Sequence, residues 1–284
     1  MADINKICVI GAGVMGSGIV QLLATYGYNV TLVDENEEIL NKAKNAIEKN
    51  LERYFVAKNK ISKEEAENYL NRIHLFVNKD EAVKGVQLVI EAVFEDMNLK
   101  KKLFAELDSV CDKEVILASN TSSLSITEIA SESIHQDRIV GIHFFNPATV
   151  MKLIELIKGK NTSEKTLKIA KDFSEGLKKT VVIVKDSPGF VTSRLIYVMC
   201  NEAINMKLEG IASAEDIDTA CKLAFNFPMG PLELSDLVGL DIYDKIGNYL
   251  ANEFGEKYKP SPLLKEMVKD SLLGRKTKKG FYNY

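Results

Sequence analysis

The sequence predicts an α/β domain built on a doubly wound, mostly parallel sheet, followed by an all-helical domain. Three observations carry this reading. Short apolar runs alternate with segments of helical spacing from residue 6 to residue 184. A glycine-rich turn, Gly11-Ala12-Gly13-Val14-Met15-Gly16, separates the first such run from the first helical segment. After Lys185-Asp186-Ser187-Pro188-Gly189 the strand signals fade and helical segments dominate. The boundary is therefore expected there, with a sheet domain over residues 1–186 and a helical domain over 187–284.

At 284 residues, 46% hydrophobic and 27% charged, the chain has the length of two domains and the composition of a soluble globular protein. A net charge of -3 provides no overall basic field, which argues against nucleic acid as a main partner. Cys8, Cys111, Cys200 and Cys221 are far apart and form no CxxC, so neither a metal site nor a disulfide framework is expected. They read as reduced thiols of a cytoplasmic protein. The chain enters a strand almost at once, without a charged leader and apolar segment, and no apolar run reaches membrane-spanning length. The expectation is an untargeted protein with no membrane partner.

Residues 6–10 form the first buried-type strand, and residues 17–26 have the apolar spacing of a helix. The glycines thus sit at a strand-to-helix turn: Gly11 lets the backbone turn, Gly13 leaves room for a pyrophosphate, and Gly16 lets the helix pack close to the strand. A second strand, 29–33, ends in Asp34, an acid at the spacing expected of a ribose hook. Strand, glycines, helix, strand and acid in this order specify a Rossmann-type dinucleotide site. Asp34 and Glu35, with no Arg beside them, favour NAD, because two acids repel a ribose 2'-phosphate.

Helical spacing over 37–54 and 63–72, joined through Lys58-Asn59-Lys60, predicts a helical hairpin inserted after the second strand. Its tip, with Lys49, Arg53, Lys58 and Lys60, is basic; the residues alone favour solvated surface over a grip for a phosphorylated tail. Strands follow at 73–77 and 87–92, and a helix at 100–110. The strand 115–118 runs into Ser119-Asn120-Thr121-Ser122-Ser123, and the strand 139–142 into His143-Phe144-Phe145-Asn146-Pro147. Both polar segments fall at strand carboxyl ends, where doubly wound sheets bind ligands. Residues 151–157 are apolar except for Lys152 and Glu155, and a buried carboxylate there needs a partner, for which His143 is the nearest candidate. After a last strand at 180–184, helices are expected at 192–208, 214–223, 231–253 and 262–271.

A chain that binds NAD commonly moves a hydride and needs a base for the proton released with it. His143 is the candidate, with Glu155 fixing its tautomer and stabilising its charged form, although a purely structural histidine fits the same pattern. His74 and His135, at element ends without a polar cluster, read as surface residues. Ser122 has two readings that spacing does not separate: a donor to substrate or nicotinamide, or the cap of a helix over 124–130.

The glycine turn, Ala118-Ser119-Asn120-Thr121-Ser122-Ser123, His143-Phe144-Phe145-Asn146-Pro147, Pro188-Gly189-Phe190 and Met229-Gly230-Pro231-Leu232 together resemble the L-3-hydroxyacyl-CoA dehydrogenases over nearly the whole chain. Among these, the chain looks most like the short bacterial 3-hydroxybutyryl-CoA dehydrogenases. The resemblance implies interconversion of 3-hydroxyacyl-CoA and 3-ketoacyl-CoA, with acetoacetyl-CoA and 3-hydroxybutyryl-CoA as the substrate pair. It implies His143 as general acid/base, Glu155 as its partner and Ser122 as a donor near the substrate 3-oxygen. It further implies that the glycine turn, Asp34, Glu95, Lys100, Ser122, Asn146 and Lys276 contact NAD. Asn146 and Ser122 would also meet the substrate, with Lys58 and Lys60 on its CoA portion and the helical domain pairing two copies. The family has Asn where this chain has Ser193, four residues after Gly189; a water or Thr192 would then serve in place of the amide. The rivals are a dehydrogenase of a hydroxyacid without CoA and an NAD-binding protein that has lost turnover.

Overall fold

The structure, a computed structural model, describes residues 4–284. They form two compact units, residues 1–187 and 188–284 by contact, of which the first three residues lie outside the described part. Among the described residues no helix is long and apolar enough to cross a membrane.

In the first unit, eight strands make one sheet: β1 (Lys6–Ile10), β2 (Asn29–Val33), β3 (Ile73–Phe76), β4 (Leu88–Glu91), β5 (Ile116–Ser119), β6 (Ile139–Phe144), β7 (Leu153–Lys158) and β8 (Thr180–Lys185). Their order is β3-β2-β1-β4-β5-β6-β7-β8. Every neighbouring pair is parallel except β6 and β7. The exception follows from chain length: only a short loop joins Phe144 to Leu153, whereas a parallel return needs a crossover of about a dozen residues or more. The central strands are apolar on both faces because helices cover both, and the main core packs Ile7, Val9, Leu32, Ile90 and Ile142 against Ile19, Leu23 and Leu40.

The sequence reading names no strand at 153–158 and no helix between β7 and β8. The structure has both. Helix Glu164–Gly176 supplies the β7 to β8 crossover, with the Ser163 side chain accepting the Thr166 N–H as its cap. The helix expected at 100–110 begins earlier, at Met97, because the Asp96 side chain caps it through the Leu99 N–H. The hairpin comprises helix Glu37–Leu51, a π-helical turn Glu52–Val56, and helix Lys63–Leu70, the last started by a capping box of Ser62 and Glu65.

The second unit is helical, with helices Thr192–Leu208, Ala214–Phe225, Pro231–Val238, Leu240–Phe254 and Pro262–Lys269. The single helix expected over 231–253 is broken at Gly239, whose φ of +109° no ordinary residue adopts without strain. Tyr197, Cys200, Ile204, Leu232, Tyr243 and Leu264 form its core. Its two buried aspartates hold backbone. Asp218 accepts from the N–H groups of Leu232 and Glu233, and Asp236 from those of Phe281 and Tyr282. All four cysteines are free, and burial pushes the Cys8 thiol up to about 12 and that of Cys111 up to about 11, which makes both poor nucleophiles.

Candidate active site

The chain leaves β1 for β2 and β3 on one side, then returns to β4 and the later strands on the other, so a topological switch point lies at the carboxyl ends of β1 and β4. The glycine turn is there. Gly11 has φ +102°, and a Cβ on it would stand 2.5 Å from the Ala92 carbonyl oxygen. A Cβ on Gly16 would stand 1.8 Å from the Gly11 carbonyl oxygen, which is the close helix-to-strand approach anticipated for it. A Cβ on Gly13 would meet nothing within 4 Å, so the turn keeps an open face. Helix Val14–Thr25 has neither a side-chain cap nor an acid in its first turn, which leaves its N–H groups and dipole to an anion. Val14 is exposed, whereas Met15 packs on the core. Asp34, just past β2, accepts the Ala12 N–H at 2.9 Å, which sets its carboxylate against the turn. A pyrophosphate suits the open face at Gly13, and ribose hydroxyls suit the Asp34 carboxylate; the residues fit a dinucleotide.

Beside this turn, the ends of β4 and β5 carry a charge network that is buried at Glu91 and Lys100 and exposed at Glu95. Glu91 and Lys100 are 0% and 1% exposed, with Lys100 Nζ 2.5 Å from Glu91 Oε1 and 3.4 Å from Glu95 Oε2. Ser119 donates to the other Glu91 oxygen at 2.6 Å. Glu95 Oε1 accepts from Thr121 Oγ1 at 2.6 Å, the Ser122 N–H at 3.1 Å, Ser123 Oγ at 3.2 Å and Ser122 Oγ at 3.4 Å. Burial pushes the Glu95 carboxyl up, but the Lys100 ammonium and the donors from Thr121 and Ser122 outweigh it and hold the group below its ordinary range. Ser122 is not a helix cap. The short helix Ile126–Ile129 is capped by Ser125, whose side chain accepts the Glu128 N–H, and the Ser122 hydroxyl makes the longest of the four bonds to Glu95.

The antiparallel register of β6 and β7 sets His143 directly opposite Glu155. Both are buried, at 6% and 1% exposure, and His143 Nδ1 lies 2.9 Å from Glu155 Oε2. The imidazole also packs on the Phe145 ring, with centroids 4.4 Å apart. Asn120 Oδ1 accepts the Phe144 N–H at 2.9 Å, which ties the end of β6 to the segment that carries Ser122. Beyond the strand, exposed Asn146 lines a cleft of about 430 Å³ that also touches Gly13, Ser17, Lys42, Asn50 and Thr149.

Of the other expected site residues, two lie on the hairpin and two in the second unit. Lys58 and Lys60 are exposed on the hairpin, their ammonium groups 5.5 and 5.7 Å from the ring centroids of Tyr54 and Phe55. Ser193 is half-buried in the first turn of helix Thr192–Leu208. Lys276, also in the second unit, forms an ion pair with Asp241. His135 departs from its reading as a bare surface residue: its Nδ1 is 3.2 Å from Asp108 Oδ1, in a cluster completed by buried Arg138. His74 is exposed on β3. Sequence reasoning missed Glu91 and Ser119; a carboxylate closing an apolar strand nine residues before a lysine was the available signal.

Residues 6–187 match the NAD-binding domain of 3-hydroxyacyl-CoA dehydrogenase, and residues 189–284 match its C-terminal domain. The chain is 46% identical to a 3-hydroxybutyryl-CoA dehydrogenase of Clostridioides difficile, an alignment covering 98% of this chain and 99% of that protein. It is 44% identical to the human mitochondrial hydroxyacyl-coenzyme A dehydrogenase, covering 99% and 91%. The crystal structure of (S)-3-hydroxybutyryl-CoA dehydrogenase PaaH1 from Ralstonia eutropha superposes with a TM-score of 0.95 at 41% identity, covering 99% of each chain. With both domains matched and a glycine turn that fits the cofactor, the chain belongs to the 3-hydroxyacyl-CoA dehydrogenase family of NAD-dependent oxidoreductases.

Proposed function

We propose that this chain interconverts acetoacetyl-CoA and 3-hydroxybutyryl-CoA, with His143 as general acid/base and Glu155 as its partner. The observation that carries the reading is the buried His143–Glu155 pair, with His143 on the strand next to the one that leads into Ser122. NAD, when bound, supplies the hydride acceptor, and NADH the donor. With Nδ1 donating to Glu155, Nε2 takes the proton of the 3-hydroxyl in the oxidative direction and returns it to the ketone oxygen in the reductive one. Glu155 stabilises the imidazolium that exists between those events. Ser122 donates to the 3-oxygen, its weak bond to Glu95 being readily exchanged for one to substrate.

The CoA portion is assigned to the cleft from Asn146 to Asn50 and onward to the basic hairpin with Lys58 and Lys60. Glu95, Lys100, Asn146 and Lys276 are assigned to the cofactor, and Ser193 to the position of the family's Asn. Exposed Leu195, Val198, Leu223, Phe225 and Leu237 in the second unit support its burial against a second copy, and reduced thiols agree with a cytoplasmic protein.

The test is NADH oxidation with acetoacetyl-CoA, repeated with NADPH and with a longer 3-ketoacyl-CoA. The expected result is fast turnover of the four-carbon substrate with NADH and at least about tenfold lower kcat/KM with NADPH, from repulsion between Asp34, Glu35 and the 2'-phosphate. Turnover of free hydroxyacids in preference to the CoA ester would overturn the substrate. Dinucleotide binding without any turnover would overturn catalysis.

A further inference from the structure

Glu91 takes no part in the reaction assigned above, yet it is the most buried charged side chain at the switch point. Its backbone registers with Ile10, the residue before the glycine turn, and with Ser119 on the other side. Its two oxygens are fully engaged, one by Lys100 and the Val93 N–H and the other by Ser119. Lys100 must also serve Glu95, so two carboxylates share one ammonium. One negative charge is left in excess; its Glu91 and Lys100 end is buried, and its Glu95 end, 37% exposed, reaches the surface of the site.

We infer that Glu91 sets the balance between oxidised and reduced dinucleotide on this enzyme, by keeping the Glu91–Lys100–Glu95 network at one net negative charge beside the nicotinamide. The inference rests on the cofactor assignment of Glu95 and Ser122 made above. The nicotinamide ring is cationic in NAD+ and neutral in NADH, so the excess charge favours NAD+ and leaves NADH nearly untouched. Were Glu91 neutral, Lys100 would cancel Glu95 and the preference would vanish. Glu91 acts through Lys100 and Glu95 and is a positioning residue, not a catalytic one. The network also divides labour among the hydroxyls. Thr121 and Ser123 take the shorter bonds to Glu95, which leaves Ser122 the one most easily turned toward a ligand.

The experiment measures dissociation constants of NAD+ and NADH by fluorescence titration for the wild type and three variants, with folding checked by circular dichroism. Glu91→Gln keeps the shape and removes the charge; the ratio Kd(NAD+)/Kd(NADH) is expected to rise on the order of fivefold, the scale of removing one unit charge near the ring at an intermediate dielectric. Glu91→Asp keeps the charge and loses the shape, and its ratio should stay within about twofold of wild type. The double variant Glu91→Gln/Lys100→Met removes the buried pair together and restores one net negative charge; both affinities should fall with the loss of Lys100, which is itself assigned to the cofactor, while their ratio returns toward wild type. An unshifted ratio in folded Glu91→Gln, a larger shift in Glu91→Asp, or a double variant that stays shifted would each overturn the inference. Failure of the wild type to bind either dinucleotide would instead strike the cofactor assignment beneath it.

Discussion

Asp108 in the sheet unit and Asp236 in the helical unit are both buried, at 7% and 1% exposure, and each accepts two backbone N–H groups, yet their carboxyl groups are driven in opposite directions. Burial pushes both up. At Asp108 the His135 and Ile134 N–H groups and the Arg138 guanidinium outweigh it, and the group ends below its ordinary range. At Asp236 the hydrogen-bond partners are neutral, the Tyr284 hydroxyl among them, Asp218 adds like charge, and the group ends above its ordinary range. At Asp108 a guanidinium in contact adds to the backbone donors, whereas at Asp236 a like charge works against them. The same division separates the tasks of the two units' buried acids. Asp218 and Asp236 fasten a helix start and the C-terminal segment through neutral donors. Glu91 and Glu155 stand against an ammonium and an imidazole at the end of the sheet that carries the glycine turn.

The largest effect expected from breaking this contrast is on stability. Arg138→Met leaves the Asp108 charge buried without its cation and should destabilise the chain by about 3–5 kcal/mol, read from denaturant midpoints of wild type and variant. A loss under about 1 kcal/mol would mean that neutral donors suffice at Asp108, as they do at Asp236, and would erase the distinction. Next in size is a loss of turnover. His143→Ala should lower kcat by about 100-fold or more while leaving dinucleotide affinity near that of the wild type. A kcat within about tenfold of wild type would reduce the His143–Glu155 pair to the structural contact that Asp218 makes with its neutral partners.

Much of the candidate site is legible as a pattern because its parts are local. The glycine turn and Asp34 announce themselves through spacing along β1 and β2, and Ser122, His143 and Asn146 through polar residues that follow apolar strands. The missed features are those that depend on pairing between distant segments. The His143–Glu155 contact is legible as a carboxylate in an apolar run that needs a partner, but the antiparallel register that makes it is not, since residues 153–158 carry no alternation. Ser125 rather than Ser122 caps the next helix, a choice among closely spaced serines that backbone geometry makes. Glu91 was read as part of a strand because its partner Lys100 reaches it from the helix that follows. The break at Gly239 was hidden by helical spacing on both sides of it.

The smallest expected effect is also the one that bears most directly on the two aspartates, because it turns on sign rather than size. Asp108 is depressed in the folded state, so the stability it contributes is present above the ordinary aspartate value of about 3.9 and is lost as pH falls through the lower folded value. Asp236 is raised, so its contribution is fully present below about 3.9 and is lost as pH rises through the higher folded value. Melting midpoints of Asp108→Asn and Asp236→Asn, each taken against wild type between about pH 3 and 7, should therefore slope in opposite senses. The penalty of Asp108→Asn shrinks on acidification, since the wild type then loses the ionised form that Arg138 holds. The penalty of Asp236→Asn grows, since the wild type then gains the protonated form that its surroundings prefer. Two slopes of the same sign would show that the guanidinium does not set these sites apart, and the parallel drawn with Glu91 and Lys100 would lose its basis.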